Sequence, residues 1–343
     1  GAQLQNDNAF NALNSTTARM PNVSCLIPGG GCRQDHVVQS SIGLYAENHV
    51  HWNAWFRTVL GLRGDSFRFA NLGLSDPAHT GTSHQFIGSP KLNLVFGPWS
   101  GTELYYSAGH GFHSNDARGV TIASGTRSDG LVRTFGQELG LRTELLDGLQ
   151  TTLALFQLDS ASEIVYVGDS GKTDSSGRTV DSGRRSRRVG IEFNNYYKAN
   201  AWLTLDADVA YTRARFRDPG GDGQYIEGAV EGVASVAAIV DAIGPWHGSL
   251  QLRYFGPRPL TEDNAHRSDG TATLSGKLGY RIDKDTRIEL IGFNLLGSKQ
   301  SAVDYYNESY TFTPPGGQSY QSSGRVFHPI EPRSFRIALT TRY

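Results

Sequence analysis

Phe335-Arg336-Ile337-Ala338-Leu339-Thr340-Thr341-Arg342-Tyr343 changes character at nearly every step. Successive side chains of an extended strand point to opposite faces. Phe335, Ile337, Leu339, Thr341 and Tyr343 therefore share one side, and Arg336, Ala338, Thr340 and Arg342 the other. Such a strand separates an apolar medium from a polar one. The same period sets Ala272, Leu274, Leu278, Tyr280 and Ile282 against Thr273, Ser275, Lys277 and Arg281. It sets Trp246, Leu250, Leu252 and Tyr254 against His247, Ser249, Gln251 and Arg253, and Leu203, Leu205, Ala207, Val209 and Tyr211 against Thr204, Asp206 and Asp208. Further strands are expected near 38–48, 54–68, 85–97, 102–112, 131–146, 149–168, 187–198, 225–240 and 286–297. With a partial strand at Gly1–Asp7, the total is about fourteen.

The joints between these strands fall into two alternating classes. Gly97–Gly101, Leu146–Gln150, Lys198–Ala201, Asp241–Pro245 and Asp283–Asp285 are tight, whereas 8–37, 69–84, 113–130, 169–186, 258–269 and 298–333 are long and polar, with a shorter loop near 217–224. In an antiparallel sheet successive joints lie at opposite ends, so all long loops collect at one end. That sidedness, with strands of about nine or more residues, is the signature of an all-β, antiparallel transmembrane β-barrel with short periplasmic turns and long external loops. The competing architecture is a soluble sandwich or propeller, which alternates in the same way with its apolar face inward. The segregated loops, the strand lengths and the aromatics near strand ends (Trp246, Tyr254, Tyr280, Tyr343) favour the membrane.

Composition agrees. The 343 residues include 41 glycines and one Met, and no apolar run approaches the roughly 18 residues of a membrane helix. The formal net charge is -1, with both signs dispersed, so no basic surface for nucleic acid is present. Cys25 and Cys32 are the only cysteines. Their Gly/Pro/Asn-rich setting suits a small disulfide-closed loop in an oxidising compartment better than a zinc site, whose other ligands are missing. Gly1–Asp7 has neither region of a signal peptide.

Particular segments then carry a resemblance. Ile42-Gly43-Leu44-Tyr45-Ala46-Glu47-Asn48, Gly61-Leu62-Arg63-Gly64-Asp65 and Gly111-Phe112-His113-Ser114-Asn115-Asp116-Ala117-Arg118-Gly119 come first. Leu252-Arg253-Tyr254-Phe255-Gly256-Pro257-Arg258-Pro259-Leu260, Phe293-Asn294-Leu295-Leu296 and Glu331-Pro332-Arg333-Ser334-Phe335 follow in the same order. As an ordered set they resemble the C-terminal part of the barrel of TonB-dependent receptors, from Gly1 to Tyr343. The resemblance implies a twenty-two-strand barrel, of which this chain holds about fourteen strands. It also implies an N-terminal plug and a TonB-contacting box outside this sequence, so a fragment is expected. The implied partners are a small-molecule nutrient ligand, TonB through that missing region, outer-membrane lipid and the barrel-assembly machinery. Phe335, Ile337, Leu339 and Tyr343 resemble the C-terminal signal that the machinery reads; an aromatic end also simply anchors a strand at the interface.

Candidate chemistry is confined to loops. His110 and His113 flank Gly111-Phe112 where a strand meets a long loop, with Asn115, Asp116 and Arg118 beyond. A loop-folding or ligand-contacting network fits them better than a metal site, because strand spacing separates the two imidazoles and no His-Glu-x-x-His pattern exists. Arg184 and Arg185 open the run Arg184-Arg185-Ser186-Arg187-Arg188, where paired guanidinium groups suit carboxylates or phosphates; a solvated charge run is the plainer reading. Asp206 and Asp208 are expected to line an aqueous lumen, and Asp218-Pro219-Gly220-Gly221-Asp222-Gly223 reads as a turn. No nucleophile elbow is present, and neither an enzyme nor a metal or cofactor is expected. The expected function is uptake of a bulky scarce ligand such as a ferric siderophore. A passive porin or adhesin built of the same strands is the alternative, and a soluble carbohydrate-binding β-protein a more distant one.

Overall fold

The computed structural model describes residues 2–10, 34–74, 77–121, 127–166, 179–218, 223–310 and 321–342. Cys25, Cys32 and Tyr343 lie outside them. Fourteen strands form one antiparallel sheet: β1 (Ala2–Phe10), β2 (Gln34–His51), β3 (Phe56–Gly73), β4 (Gly81–Trp99), β5 (Thr102–Ser114), β6 (Leu131–Thr143), β7 (Leu149–Ser160), β10 (Ser186–Lys198), β11 (Leu203–Phe216), β12 (Gly232–Ile243), β13 (Trp246–Phe255), β14 (Thr271–Arg281), β15 (Thr286–Phe293) and β18 (Ser334–Thr341). Each pairs with its predecessor in that order. Two hairpins stand apart from the sheet, β8 (Ile164–Tyr166) with β9 (Thr179–Asp181), and β16 (Ser301–Tyr310) with β17 (Gln321–Pro329). The pairing of β1 with β18 that would close a barrel is not present among the described residues.

The expected phase of the joints is reproduced. Short connections at 52–55, 100–101, 144–148, 199–202, 244–245 and 282–285 all fall at one end, and the long ones at the other. Three of the short turns use one device. Asn53 Oδ1 accepts from the backbone N–H of Trp55 and Phe56 at 2.9 and 2.8 Å, Asn200 Oδ1 from Trp202 and Leu203 at 2.9 and 2.9 Å, and Asp283 Oδ1 from Asp285 and Thr286 at 2.8 and 2.8 Å. A short acceptor side chain thereby closes the turn that the backbone alone leaves open. At Gly148 a positive φ of 74° and the Lys198 carbonyl, 2.7 Å from where a Cβ would stand, together require glycine.

Register carries one apolar face across the sheet. Val236 stands opposite Leu252, Leu252 opposite Leu274, Leu278 opposite Leu290, Leu290 opposite Ile337, and Ile288 opposite Leu339. Apart from the half-buried Leu274 these side chains are exposed, Ile337 at 75% and Leu339 at 67%. The buried strand residues lie almost entirely on the opposite, polar face, among them Asp35, Asp65, Phe69, Ser89, Val132, Ser186, Phe216 and Glu289. A soluble sheet would bury its greasy side. Here the greasy side faces out, which is stable only against hydrocarbon.

All five tryptophans, Trp52, Trp55, Trp99, Trp202 and Trp246, sit at the short-turn end and are exposed. Trp55 stacks on Trp99 with centroids 6.4 Å apart, and Trp246 meets Tyr280 edge-on at 4.8 Å. They form the aromatic girdle of one membrane interface.

Four expectations are corrected. The strand expected to run to 168 ends at Ser160, and Ile164–Tyr166 joins the separate small hairpin instead. The strand expected from 225 begins at Gly232. β2, β3 and β4 extend well into segments expected to be loop, and the stretch 298–333 contains the β16–β17 hairpin.

Candidate recognition site at the loop end

The loop between β5 and β6 turns back onto the inner face. Asp116 caps the short helix α1 (Ala117–Val120), accepting from the Arg118 N–H at 2.8 Å while its carboxylate also receives Arg118 Nε and Nη2 at 2.8 and 2.7 Å. Ala117 and Val120 then pack with Val37 and Phe69, which carry no exposed surface to speak of, flanked by Phe67 and Leu131. Asn115 fixes both ends of the loop: its amide donates to the Asp129 carbonyl at 2.6 Å, its backbone N–H to the Gly130 carbonyl at 2.9 Å, and its carbonyl accepts from Gln39 Nε2 at 3.1 Å. The loop thus covers the inner wall of β2 and β3 near the mouth.

The two candidate histidines are separated by the pleat. His110 belongs to the outward face, its ring 5.1 Å from Phe135 and its Nδ1 3.2 Å from the Thr134 carbonyl oxygen. His113 is on the inner face, and its Nε2 is enclosed without a hydrogen-bond partner. It lies near Glu163, which also holds Ser186 Oγ and both terminal nitrogens of Arg188. Burial pushes the Glu163 carboxyl up, but the hydrogen bonds and charges of Arg188, Ser186 and His113 outweigh it and leave it below the usual carboxylate range. Among the described residues no group of three His, Cys, Asp or Glu is placed to hold a metal ion.

Arg184 and Arg185 are drawn into the loops. Arg184 Nη1 donates to Glu262 Oε2 at 2.7 Å and Nη2 to the Gly223 carbonyl at 2.7 Å, while its guanidinium lies 3.9 Å from the Phe216 ring centroid. One side chain therefore ties three external loops together. Arg185 grips Asp218 through its backbone N–H at 2.8 Å and its Nη2 at 2.6 Å, which holds the Asp218 carboxyl down to about 2. The depressed value means that this link stabilises the loops fully above the ordinary carboxylate pKa of 3.8 and is lost as pH falls towards 2. Acid-protease nicking near 217–231 is expected to rise steeply between about pH 4 and 2, and Asp218→Asn to flatten that rise; an unchanged profile in the variant would assign the transition to another group.

Sequence reading did not find the concavity behind the loops. It has a volume of about 500 Å³ and lies on the inner wall of β4–β7 and β10. Its floor is Gly109, Gly111 and Gly136, and Lys91, Glu138 and Glu192 stand around it. Phe156 sits against Gly190 and Tyr105 against Gly140, where an added Cβ would run into the rings. The Tyr105 hydroxyl donates to Glu138 at 2.5 Å. Glycines two apart on an inward-facing strand were the available signal, since such positions admit close approach of another group.

A sheet whose apolar face looks outward, whose charged face lines a concavity and whose long connections gather at one end defines the wall of an outer-membrane β-barrel. The chain belongs to the family described as TonB dependent receptor-like, beta-barrel, whose sequence profile matches residues 1–295. The closed form of the ferric-catecholate import receptor Fiu from K12 E. coli is similar to the whole of this chain, with a TM-score of 0.71 and 16% identity over 50% of its own length. The siderophore receptor PiuA from Acinetobacter baumannii matches 91% of the chain with TM-score 0.67 and 14% identity over 44% of its length. The copper transporter OprC gives 0.67 and 16% over 91% and 50%. The chain thus spans about half the length of these structures. No curated protein matches the sequence.

Proposed function

We propose that the chain is the C-terminal portion, 1–343, of the barrel of an outer-membrane receptor that takes up a bulky, scarce nutrient such as a ferric siderophore in a TonB-dependent manner. What supports this reading is the glycine-floored concavity on the inner wall, together with α1 of the β5–β6 connection, whose Ala117 and Val120 pack onto that wall. A rigid wall holding shaped loops is how barrels present recognition surfaces. His113, Asn115, Asp116 and Arg118 contribute by shaping the mouth and Arg184 and Arg185 by bracing the loops, whereas His110 faces outward and serves the wall. The partners in this reading are the ligand, TonB acting through a region beyond this sequence, lipid, and the assembly machinery that reads Phe335, Ile337, Leu339 and Tyr343.

Uptake of labelled iron chelates, cobalamin, haem and oligosaccharides by cells lacking the gene tests the proposal. Uptake of one of these is expected to fall at least about tenfold, the scale of a lost specific binder, and to return on complementation. Unchanged uptake across the panel, with an open conductance from the purified protein in planar bilayers, would establish a passive pore instead.

A further inference from the structure

The outward apolar face ends on a level that the register fixes. Across β6, β7, β10 and β11 one row runs Leu139–Leu155–Ile191–Tyr211, all exposed. Two residues nearer the loops the row reads Gln137–Gln157–Val189–Arg213, and two beyond that Phe135–Asp159–Arg187–Arg215. The exposed Arg213 stands eleven residues along the chain from Trp202 of the short-turn girdle. At about 3.3 Å per residue and a tilt near 45° that is about 26 Å, against an apolar band about 25 Å tall. An arginine is costly in hydrocarbon and tolerated where headgroups begin, so Arg213 marks the outer-leaflet edge. Charge at this edge is unbalanced. Arg187 faces Arg215 directly across the β10–β11 ladder, where like charges repel, and Arg213 is its diagonal neighbour, within reach of a long side chain. Asp159 accepts from Arg187 Nε and Gln157 Nε2 at 2.7 Å each and from Arg217 Nη1 at 3.5 Å. Glu231 is divided between Arg215 Nη2 at 3.3 Å and Arg267 Nη2 at 2.5 Å, and Asp218 is held by Arg185. Arg187, Arg213, Arg215 and Arg217, with Arg267, therefore meet Asp159 and Glu231, and the patch stays positive.

We infer that the outward patch of Arg187, Arg213 and Arg217 binds the phosphate of an outer-leaflet lipid whose acyl chains lie along Val189, Ile191 and Val209. Guanidinium forks suit phosphate oxygens, which they engage in pairs. The exposed apolar rows directly below, with Ile191 and Val209 on neighbouring strands, accept the chains of the same molecule. A membrane lipid is the occupant because the patch is continuous with the lipid face and lies on the outside of the wall, away from the hollow. The inference rests on that face lying in lipid, and is independent of which nutrient enters.

Native mass spectrometry of the protein, extracted from outer membranes and stripped of lipid in a neutral detergent, tests the patch with bisphosphorylated lipid A and its dephosphorylated counterpart as probes. The phosphorylated probe is expected to bind at least about tenfold more tightly, since each basic side chain at an anionic surface contributes about fivefold. Arg213→Gln is expected to weaken that binding about fivefold. Arg213→Lys keeps the charge without the fork and is expected to lose about twofold. Lys284→Gln removes the same charge at the short-turn end, where Lys284 is 90% exposed, and is expected to leave binding unchanged. Equal affinity for the two probes, equal weakening by Lys284→Gln, or full competition by inorganic pyrophosphate would each overturn the inference, the last by showing a site for a soluble anion. Phosphate discrimination that persists while uptake is unaffected by gene loss sinks the receptor reading alone; uptake lost with the gene while the two probes bind alike sinks this one alone.

Discussion

Ile337→Arg is expected to abolish or severely reduce assembly into the membrane, while Ser275→Arg is tolerated. Ile337 is 75% exposed in the row Leu278–Leu290–Ile337, on the apolar face. It stands four residues above the end of β18, about 10 Å along the membrane normal for a strand tilted near 45°, and so close to mid-membrane. A guanidinium there costs about 2–4 kcal/mol. Ser275 is on the inner face opposite Gln251, where water solvates a charge, and its replacement is expected to change stability by no more than about 0.5 kcal/mol. Urea unfolding in liposomes, followed by fluorescence of the interfacial tryptophans, measures both. Equal destabilisation by the two substitutions, or a larger loss for Ser275→Arg, would reverse the assignment of faces.

Arg184→Ala is expected to free three loops at once. The substitution removes the donors to Glu262 and Gly223 and the cover on Phe216, and leaves Glu262, whose side chain is 10% exposed, as a nearly buried carboxylate without that partner. Breaking a buried pair from one side costs about 3–5 kcal/mol; residual solvent contact places this case near 3. Local opening is then roughly 100-fold more frequent, which limited proteolysis of 217–231 and 256–270 reads directly. Arg184→Lys retains charge but not the fork and is expected to fall between wild type and alanine. If cleavage rates in the alanine variant match wild type, the three loops are held by other contacts, such as Arg215 and Arg267 on Glu231.

The wall of the barrel was legible because each strand repeats one two-residue rule many times. Leu278 and Lys277, or Leu339 and Arg336, declare their faces without any knowledge of neighbours. The joints at Gly97–Gly101, Leu146–Gln150, Lys198–Ala201, Asp241–Pro245 and Asp283–Asp285 were legible through their turn residues, whereas the equivalent turn at Asn53 was not named. The loops were not. The inward packing of Ala117 and Val120 depends on Phe69 and Val37, distant in sequence and contributed by other strands. The β16–β17 hairpin is held by Arg258 and Arg325 on Asp304 and by His266 stacked 3.8 Å from Tyr306. Neither arrangement leaves a periodic trace. For the same reason Arg184 and Arg185 could be recognised as charged, but not as engaged with Glu262 and Asp218.

Strand length varies around the sheet, and this gives the rim a slope. β2, β3 and β4 have 18, 18 and 19 residues, whereas β15 and β18 have 8 each. At about 3.3 Å per residue and a tilt near 45° the former rise about 42 Å and the latter about 19 Å, against an apolar band about 25 Å tall. The β2–β4 flank therefore stands as a parapet above the lipid headgroups, while β15 and β18 stop about 6 Å short of them and are followed there by the β16–β17 hairpin. A solute or antibody arriving over β15 and β18 meets a lower step than one arriving over β2–β4.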